Sequence, residues 1–282
     1  MGPSVAGLVV LVVALCLVLC FAFARPRSSP TRLPSALLVV RVEDVRQARS
    51  SHGDAPWLVT GLPETPDVGD WAEAWNVASV NVLLSPSGVF GAYGSCERHT
   101  ELSLSGAVGF SEEACRGDPR CQPAHASVRM PPPAALRLFE NSAARPAGAR
   151  FVYLRGTAGE ESRRAEEAKL GWSDLSNLSP YLSSEGCTTN LHWDGAPGIL
   201  AQTAGSKDVA LFAPGAMPDA ARDTKSPCYR RSYQQGAECP PGSSYRLLLA
   251  PGFGLYIPAH WAHHVVSRAP RTLGAVWRFV GQ

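Results

Sequence analysis

The 282-residue chain lacks a strong excess of charge of either sign. Its 26 Lys and Arg residues and 24 Asp and Glu residues give a formal net charge of +2, which is too small to indicate nucleic-acid binding. The sequence also lacks internal repeats, blocks of like charge and the basic and aromatic groove pattern typical of RNA-binding proteins. We therefore expect no nucleic-acid partner. With 45% apolar and 18% charged residues, the chain can bury a hydrophobic core.

Charged side chains are absent from residues 1–24. At about 1.5 Å per residue, the apolar run Val5–Ala24 is long enough to cross the hydrocarbon core of a bilayer. A cleaved signal peptide is one interpretation, because the run ends in an Ala-x-Ala sequence just before Arg25. An uncleaved membrane anchor is the other, because the run is long for a signal peptide and residues 1–4 contain no Lys or Arg.

An even number of cysteines lies outside the apolar run: Cys96, Cys115, Cys121, Cys187, Cys228 and Cys239. After a secretory segment, such a set predicts disulfide bonds. Cys115 with Cys121 and Cys228 with Cys239 are close enough in sequence to pair. We therefore predict a protein of the endoplasmic reticulum or Golgi lumen, or a secreted one. The alternative is six free thiols in the cytosol, the side on which basic residues 25–32 would place an anchored domain.

The stretch Thr188–Asp194 contains the first residues that indicate chemistry. Its composition favours a strand, on which side chains two positions apart project from the same face. His192 and Asp194 would then supply an imidazole nitrogen and a carboxylate oxygen to one point. These are two of the three ligands of a 2-His-1-carboxylate Fe(II) site, whereas a cysteine-rich set would suggest structural zinc. Residues 256–266 contain three histidines that could complete the site.

Lys207 is the second candidate. An apolar run at 198–203, a Gly-Ser turn and an alternating run at 207–214 predict a β-hairpin. Lys207 would begin its second strand on the face shared by Val209 and Leu211. A buried lysine with apolar neighbours needs an anionic partner, such as a dicarboxylate cosubstrate. The alternative is a lysine at a strand end whose ammonium reaches water.

Three sequence patterns connect these candidates: Thr-x-x-His-x-Asp, Gln-x-x-Gly-x-Lys and Tyr-Ile-Pro-x-x-Trp-x-His. The residues that form them are Thr189, His192, Asp194, Gln202, Gly205, Lys207, Tyr256, Ile257, Pro258, Trp261 and His263. In these motifs the chain resembles the JmjC/cupin-like Fe(II)/2-oxoglutarate oxygenases, especially the branch that contains the asparaginyl hydroxylase of hypoxia signalling. The separation of His192 and Lys207 is also that of the asparaginyl hydroxylase.

The resemblance implies a role for each matched polar residue. The implied iron ligands are His192, Asp194 and His263. The motif register selects His263, because His263 and its neighbour His264 cannot both face inward from one strand.

For the cosubstrate 2-oxoglutarate, the resemblance implies a salt bridge from Lys207 to the distal carboxylate and a hydrogen bond from the Thr189 hydroxyl. Tyr153 fits the place of a further hydrogen-bond donor, although a core tyrosine is an equal alternative. The implied reaction converts 2-oxoglutarate to succinate and CO2 while a C–H bond of the substrate is hydroxylated.

The expected fold is mainly β, a double-stranded β-helix (jelly-roll or cupin barrel) with a few flanking helices, because many short strand-like runs alternate with turns. After a linker at 25–35, one oxygenase domain should span residues 36–282. The irregular segment 217–242 is predicted as a substrate-recognition loop. The family has an Asn where this chain has Gly198, and another on the last barrel strand, where this chain reads Val276–Phe279.

Three functions are compatible with these residues. The first is a 2-oxoglutarate-dependent dioxygenase that hydroxylates a protein or peptide substrate in the secretory pathway. The second is a catalytically silent cupin-like binding or structural module. The third is a metal-dependent hydrolase or isomerase on the same barrel, which would need no Lys207. Intact ligands favour the first over the second, and Lys207 at its spacing favours the first over the third.

Overall fold

Strands make up most of the regular structure in the computed structural model, which describes residues 37–62, 70–85, 88–90, 126–172, 174–216, 239 and 241–280. In chain order the strands are β1 (Leu38–Arg41), β2 (Trp57–Thr60), β3 (Val80–Ser85), β4 (Val89–Phe90), β5 (Ala126–Met130), β6 (Phe151–Gly156), β7 (Leu175–Ser183), β8 (Thr188–His192), β9 (Gly198–Ala204), β10 (Lys207–Phe212), β11 (Tyr245–Leu249), β12 (Gly254–Ile257), β13 (Ala262–Ser267) and β14 (Thr272–Phe279). The α-helices are α1 (Val45–His52), α2 (Trp71–Ala74), α3 (Pro132–Glu140) and α4 (Glu160–Leu170). Single 3-10 turns lie at Val42–Asp44 and Ser142–Ala144.

The strands form two sheets. The large sheet has the order β1-β2-β12-β9-β14-β7-β6-β3-β5, and the small sheet has the order β11-β10-β13-β8-β4. From β7 onward the chain crosses between them, with β7, β9, β12 and β14 in the large sheet and β8, β10, β11 and β13 in the small one. These eight strands pair antiparallel. This arrangement is a jelly roll, so the predicted fold class is confirmed.

The space between the two sheets holds an apolar cluster beside the polar residues of the barrel. Leu200 and Leu255 come from the large sheet, and Val209, Leu211 and Val265 come from the small sheet. A larger cluster includes Trp57 and Trp277 of the large sheet together with residues of the flanking helices. Apolar contacts with the flanking helices therefore hold the large sheet. The polar residues of the barrel lie between the two sheets, beside the smaller apolar cluster.

The hairpin predicted for residues 198–214 is wrong. β9 pairs with β12 and β14 in the large sheet, whereas β10 pairs with β11 and β13 in the small sheet. Gly205 and Ser206 therefore carry the chain from one sheet to the other. A β-hairpin and a crossing between two sheets both show a short turn between two apolar runs in the sequence. They differ in which strands pair, and those strands are distant in sequence.

Strand β7 was not predicted, because Pro180 lies within it and proline normally excludes a central strand. The structure resolves this conflict. β6 pairs with β7 only from Tyr181 to Ser183, and at Pro180 the described partner is Ala275 of β14. On the N-terminal side of Tyr181, the described strand that pairs with β7 is β14 alone. A residue without an N–H is therefore tolerated at this part of β7. Helix α1 was also not predicted.

Several predictions fall outside the described residues. They concern the segments 1–24 and 25–35, four of the cysteines (Cys96, Cys115, Cys121 and Cys228) and nearly all of residues 217–242. The predicted Cys228–Cys239 and Cys115–Cys121 bonds therefore stay predictions.

Within the described part of the chain, no helix is long and apolar enough to cross a membrane.

One described cysteine bears on the predicted disulfide bonds. Cys187 is a free, buried thiol whose Sγ donates to the Val152 carbonyl oxygen at 3.4 Å. The expected set of six paired cysteines is not met at this position.

The crossing turn generates a prediction about stability. Gly205 and Gly171 both have left-handed backbones, with φ of 66° and 67°. A Cβ on Gly205 would lie 2.6 Å from the Arg271 carbonyl oxygen, whereas a Cβ on Gly171 would meet nothing within 4 Å. Gly171→Ala should cost about 1–2 kcal/mol for the left-handed backbone alone. Gly205→Ala should cost roughly 2 kcal/mol more because of overpacking.

Urea unfolding of both variants measures this difference. Equal losses of free energy of unfolding would show that the turn does not pack against the Arg271 carbonyl.

Candidate active site

A β-bulge in β8 places two of the predicted residues on one face. His192 lies opposite His263 and Thr189 lies opposite Val265, so two residues of β8 stand against the single residue His264 of β13. In a regular strand, side chains three positions apart face opposite sides. The extra residue in a bulge reverses this alternation. Thr189 and His192 therefore both line the same cavity.

Asp194 lies just beyond the end of β8 rather than within it. Its main chain is held by the turn that precedes β13, because the His260 N–H donates to the Asp194 carbonyl oxygen at 2.9 Å. His260 has a φ of 65°, which is uncommon for a residue other than glycine. The backbone of His260 thus contacts Asp194.

The structure brings His192, Asp194 and His263 together. Each offers one ligand atom, and these atoms lie within 4.8 Å of one another. The two imidazole rings are 4.2 Å apart between centroids. The family resemblance implied this group of three as ligands, and the structure gives it the geometry of a group that could hold a metal ion. The ligand roles themselves stay predictions.

Hydrogen bonds define which nitrogen of each imidazole faces the cavity. Nδ1 of His192 lies 2.7 Å from the Asn190 carbonyl oxygen, and Nδ1 of His263 lies 3.1 Å from the Trp261 carbonyl oxygen. A carbonyl oxygen can only accept, so Nδ1 carries the proton in both rings. In a neutral ring, Nε2 then keeps its lone pair. Such backbone acceptors are the usual outer partners of metal-ligating histidines.

The contact between His263 and Asp194 fits a cation. His263 Nε2 lies 3.7 Å from Asp194 Oδ2, which is too long for a hydrogen bond. Burial lowers the pKa of His263, so its ring is neutral at pH 7 and both facing atoms carry lone pairs. Two such atoms repel each other unless a cation lies between them. The donor set of two imidazoles and one carboxylate fits Fe(II).

The charge state of Asp194 is also defined by its neighbours. Burial alone would raise the pKa of Asp194, but the imidazoles of His192 and His263 and the guanidinium of Arg278 outweigh it and hold the pKa well below its usual value. Arg278 Nη2 lies 2.9 Å from Asp194 Oδ2. Arg278 contributes both its positive charge and a hydrogen bond that favour the ionised carboxylate. Asp194 is therefore available as an anionic ligand at neutral pH.

His264 does not share the cavity. It lies on the same face of β13 as Ala262, which packs with Ala210 and Phe212 on the opposite side from His263. His264 is buried there. The predicted alternation of the two histidines is thus what the strand shows, with His263 facing the cavity and His264 facing away.

A cavity of about 210 Å³ adjoins the group of three. All six predicted site residues line it: His192, Asp194, His263, Thr189, Lys207 and Tyr153. A space of this size accommodates a small ligand. The predicted site residues, which come from four separate parts of the chain, therefore line one cavity.

Lys207 is the most unusual residue of this cavity. It is only 3% exposed, and burial lowers its pKa to about 8. Among the described residues, no carboxylate forms an ion pair with its ammonium; Nζ lies 6.0 Å from the centre of the Tyr181 ring. The alternative of a strand-end lysine that reaches water does not hold.

Tyr153 and Thr189 lie together on the cavity wall. The Tyr153 ring packs against Phe90 at 5.4 Å and Tyr181 at 5.7 Å between centroids. Burial raises the pKa of Tyr153, while the neighbouring Thr189 hydroxyl lowers it by hydrogen bonding. The phenol is therefore un-ionised and able to donate. Tyr153 lines the cavity and also packs against its neighbours. Its position is therefore compatible with both interpretations, a hydrogen-bond donor and a core tyrosine.

The cavity lining also includes residues that were not predicted to belong to the site, among them Arg278, Tyr181 and Cys187. Tyr181 lies on β7, the strand that was not predicted from the sequence. Burial raises the pKa of Cys187 to about 11, so it is a neutral thiol. Arg278 was noted only as part of a departure from the family pattern. That departure was the signal that the sequence offered for Arg278. The contact of Arg278 with Asp194, however, depends on strand pairing.

Comparison with known proteins gives a similarity of modest extent. No protein-family model matches the chain. The X-ray structure of E. coli YcfD is similar with a TM-score of 0.49 and 13% sequence identity, over 84% of this chain and 53% of that one. The Escherichia coli ribosomal oxygenase YcfD in complex with cobalt and 2-oxoglutarate has a TM-score of 0.48 and 12% identity, over 85% and 52%. This chain thus spans about half the length of the solved structures it matches.

The orientation of β13 predicts which histidine binds a metal. His263→Ala should abolish Mn(II) binding, because it removes one of three ligands. His264→Ala removes a buried imidazole of the same strand on the opposite face and should leave the Mn(II) affinity unchanged. Calorimetric titration of both variants measures this, with circular dichroism as a check on folding. Loss of binding in the His264 variant and retention in the His263 variant would shift the assignment by one residue.

Proposed function

We propose that this chain is an Fe(II)- and 2-oxoglutarate-dependent dioxygenase that hydroxylates a protein side chain in the secretory pathway. One observation carries the proposal. A buried lysine without an anionic partner among the described residues shares a cavity with a group of two histidines and one aspartate. A metal hydrolase or isomerase would use the group of three but has no need for the lysine.

The metal would be held by Nε2 of each histidine and by the carboxylate of Asp194. Three protein ligands leave positions open on Fe(II) for a cosubstrate and oxygen. When bound, Fe(II) and 2-oxoglutarate would supply the oxidising chemistry, in which the cosubstrate is converted to succinate and CO2. The residues of this chain would bind and orient the reactants and exclude water from the cavity.

Strand register supports a five-carbon diacid between Lys207 and the histidines. Lys207 and Leu211 are both on β10, and Leu211 lies opposite His263. Four residues of a strand span about 13 Å at roughly 3.3 Å per residue. The Lys207 and His263 side chains both line the cavity. A diacid chelating a metal at one end could therefore place its other carboxylate at the Lys207 ammonium.

Thr189 and Tyr153 would complete the binding of the distal carboxylate. Each carries a hydroxyl group in the same cavity, and a carboxylate inside a partly dry barrel needs hydrogen-bond donors as well as a counter-charge. The two hydroxyls stay un-ionised at neutral pH, so both can donate. The proposed site therefore provides one ammonium and two hydroxyl groups for one carboxylate.

The location and the substrate class are proposed from the sequence. The N-terminal apolar run and the cysteines outside it support the secretory pathway, and the side-chain hydroxylation is what the family resemblance implies. Alkylation before and after reduction tests the compartment. Reaction of every cysteine without reduction would contradict a luminal location.

Turnover is the direct test of the activity. Purified protein with Fe(II), 2-oxoglutarate and oxygen should form succinate, and the yield should rise when a true substrate is added. Absence of succinate together with intact Mn(II) binding would favour a hydrolase or isomerase, or a silent cupin-like module.

Lys207→Ala should weaken 2-oxoglutarate binding strongly. Removing one partner of a buried ion pair leaves the other uncompensated at about 3–5 kcal/mol, which is roughly two to three orders of magnitude in affinity. The Mn(II) affinity should hardly change, because Lys207 is not among the ligand atoms. Calorimetry on Mn(II)-loaded protein measures both values.

The matched control for this variant is Lys169→Ala, which removes an exposed lysine of α4 outside the cavity. It should leave both affinities unchanged. Equal 2-oxoglutarate affinity in the wild type and Lys207→Ala would remove the main support for the proposal.

The lowered pKa of Lys207 predicts a pH dependence. Because this pKa is about 8 in the ligand-free protein, the ammonium is present below that pH and is lost above it. The 2-oxoglutarate affinity should therefore be constant below about pH 7 and fall above about pH 8, by up to about tenfold per pH unit. The Cys187 thiol in the same cavity stays neutral over this range.

Lys207→Arg is the control for the pH series, because a guanidinium does not deprotonate there. The 2-oxoglutarate affinity of Lys207→Arg should be lower than that of the wild type, but it should not fall near pH 8. A fall of the same size in the Arg variant would assign the pH dependence to another group.

A further inference from the structure

Arg278 contacts the proposed metal ligand Asp194 directly. Its Nη2 lies 2.9 Å from Asp194 Oδ2, and the two side chains are 24% and 26% exposed. Asp194 Oδ2 is also the oxygen that lies 3.7 Å from His263 Nε2. A guanidinium and the neutral histidine therefore approach the same carboxylate oxygen. The orientation of this carboxylate toward His263 is held from the other side by the last strand of the barrel.

The opposite strand makes room for Arg278. Gly198 of β9 is its cross-strand partner. A Cβ at Gly198 would lie 2.9 Å from the Trp277 carbonyl oxygen and 3.7 Å from Arg278 Cγ. A larger side chain at 198 would displace the strand that carries Arg278. Gly198 and Arg278 thus form one cross-strand pair, in which a residue without a side chain lies beside the arginine.

The backbone around Arg278 is also defined. The β7–β14 pairing shifts register between Arg278 and Phe279, and the Ser176 hydroxyl donates to the Arg278 carbonyl oxygen at 3.1 Å. Such irregularities commonly re-aim a side chain next to an active site. Val276 and Arg278, two positions apart, both line the cavity. Arg278 is thus presented to the cavity by its own strand rather than by a loop.

The charge balance of the cavity indicates what Arg278 does. The guanidinium holds the carboxylate in one orientation, as outer partners of metal ligands do, and its positive charge would attract an anionic cosubstrate. We propose that Arg278 is a positioning residue that holds Asp194 facing His263 for metal binding, and that its charge strengthens binding of the anionic cosubstrate. This inference rests on the proposed function, since it concerns the same metal and cosubstrate.

The experiment measures the two affinities separately. In Arg278→Ala, the Mn(II) affinity should fall by about tenfold, which is at the lower end of the losses seen for outer partners of metal ligands, and the 2-oxoglutarate affinity of the Mn(II)-loaded protein should fall as well. The visible spectrum of the Co(II)-loaded protein should change as well, because the carboxylate is no longer held. Arg278→Lys keeps the charge and should retain both affinities more closely.

The matched control is Arg155→Ala. Arg155 also lines the cavity, is exposed and has no ion pair to Asp194 among the described residues. Its removal takes away the same charge at a solvent-screened position and should leave the Mn(II) affinity and the Co(II) spectrum unchanged. An effect as large as that of Arg278→Ala would assign the result to overall cavity charge and overturn the positioning role.

The outcomes separate this inference from the proposed function. A fall of both affinities in Arg278→Ala that Arg278→Lys reduces supports the inference, whereas an unchanged or tighter Mn(II) affinity overturns it. Wild-type protein that binds Mn(II) but not 2-oxoglutarate would contradict the proposed function, while a weaker Mn(II) affinity in Arg278→Ala would still support the role of Arg278 toward Asp194. A wild type that binds no Mn(II) would overturn both.

Discussion

The antiparallel pairing of β8 with β13 is the interaction on which the site depends. It sets His192 opposite His263 and, through one extra residue in β8, turns Thr189 to the same side. Without the bulge, the threonine would face the opposite surface of the small sheet. The turn before β13 then holds the main chain of Asp194 through the His260 N–H. A single strand pair thus orders the three candidate ligands and a candidate cosubstrate contact.

The second constraint is the placement of charge inside a barrel. Among the described residues, Asp194 is the one carboxylate that lines the cavity, and it already has Arg278 as a partner. Lys207 is left buried without an anion among the described residues. Burying an unpaired charge is costly, and the lowered pKa of Lys207 expresses that cost. A fold that keeps such a residue in its interior is most simply explained by a ligand that carries the missing negative charge.

Much of this arrangement could be predicted from short sequence patterns. Most barrel strands follow runs of alternating or apolar residues, and the spacing of His192, Asp194 and Lys207 led to the cavity. Predictions failed where a local rule competes with a distant partner. Strand β7, which contains Pro180, was missed because the sequence does not show where the pairing of β7 with β6 ends. The turn at Gly205 was interpreted as a hairpin because a crossing between sheets has the same local pattern.

The sequence by itself determined the kinds of groups available for chemistry and their order along the chain. It also determined that His263 and His264 must face opposite ways, because alternation is a property of a single strand. Only the tertiary structure decided that Lys207 is buried, that both imidazoles present Nε2 to one point, and that Arg278 reaches Asp194. These features depend on which strands pair and in what register. Such pairings join segments far apart in sequence, and no local pattern of residues encodes them.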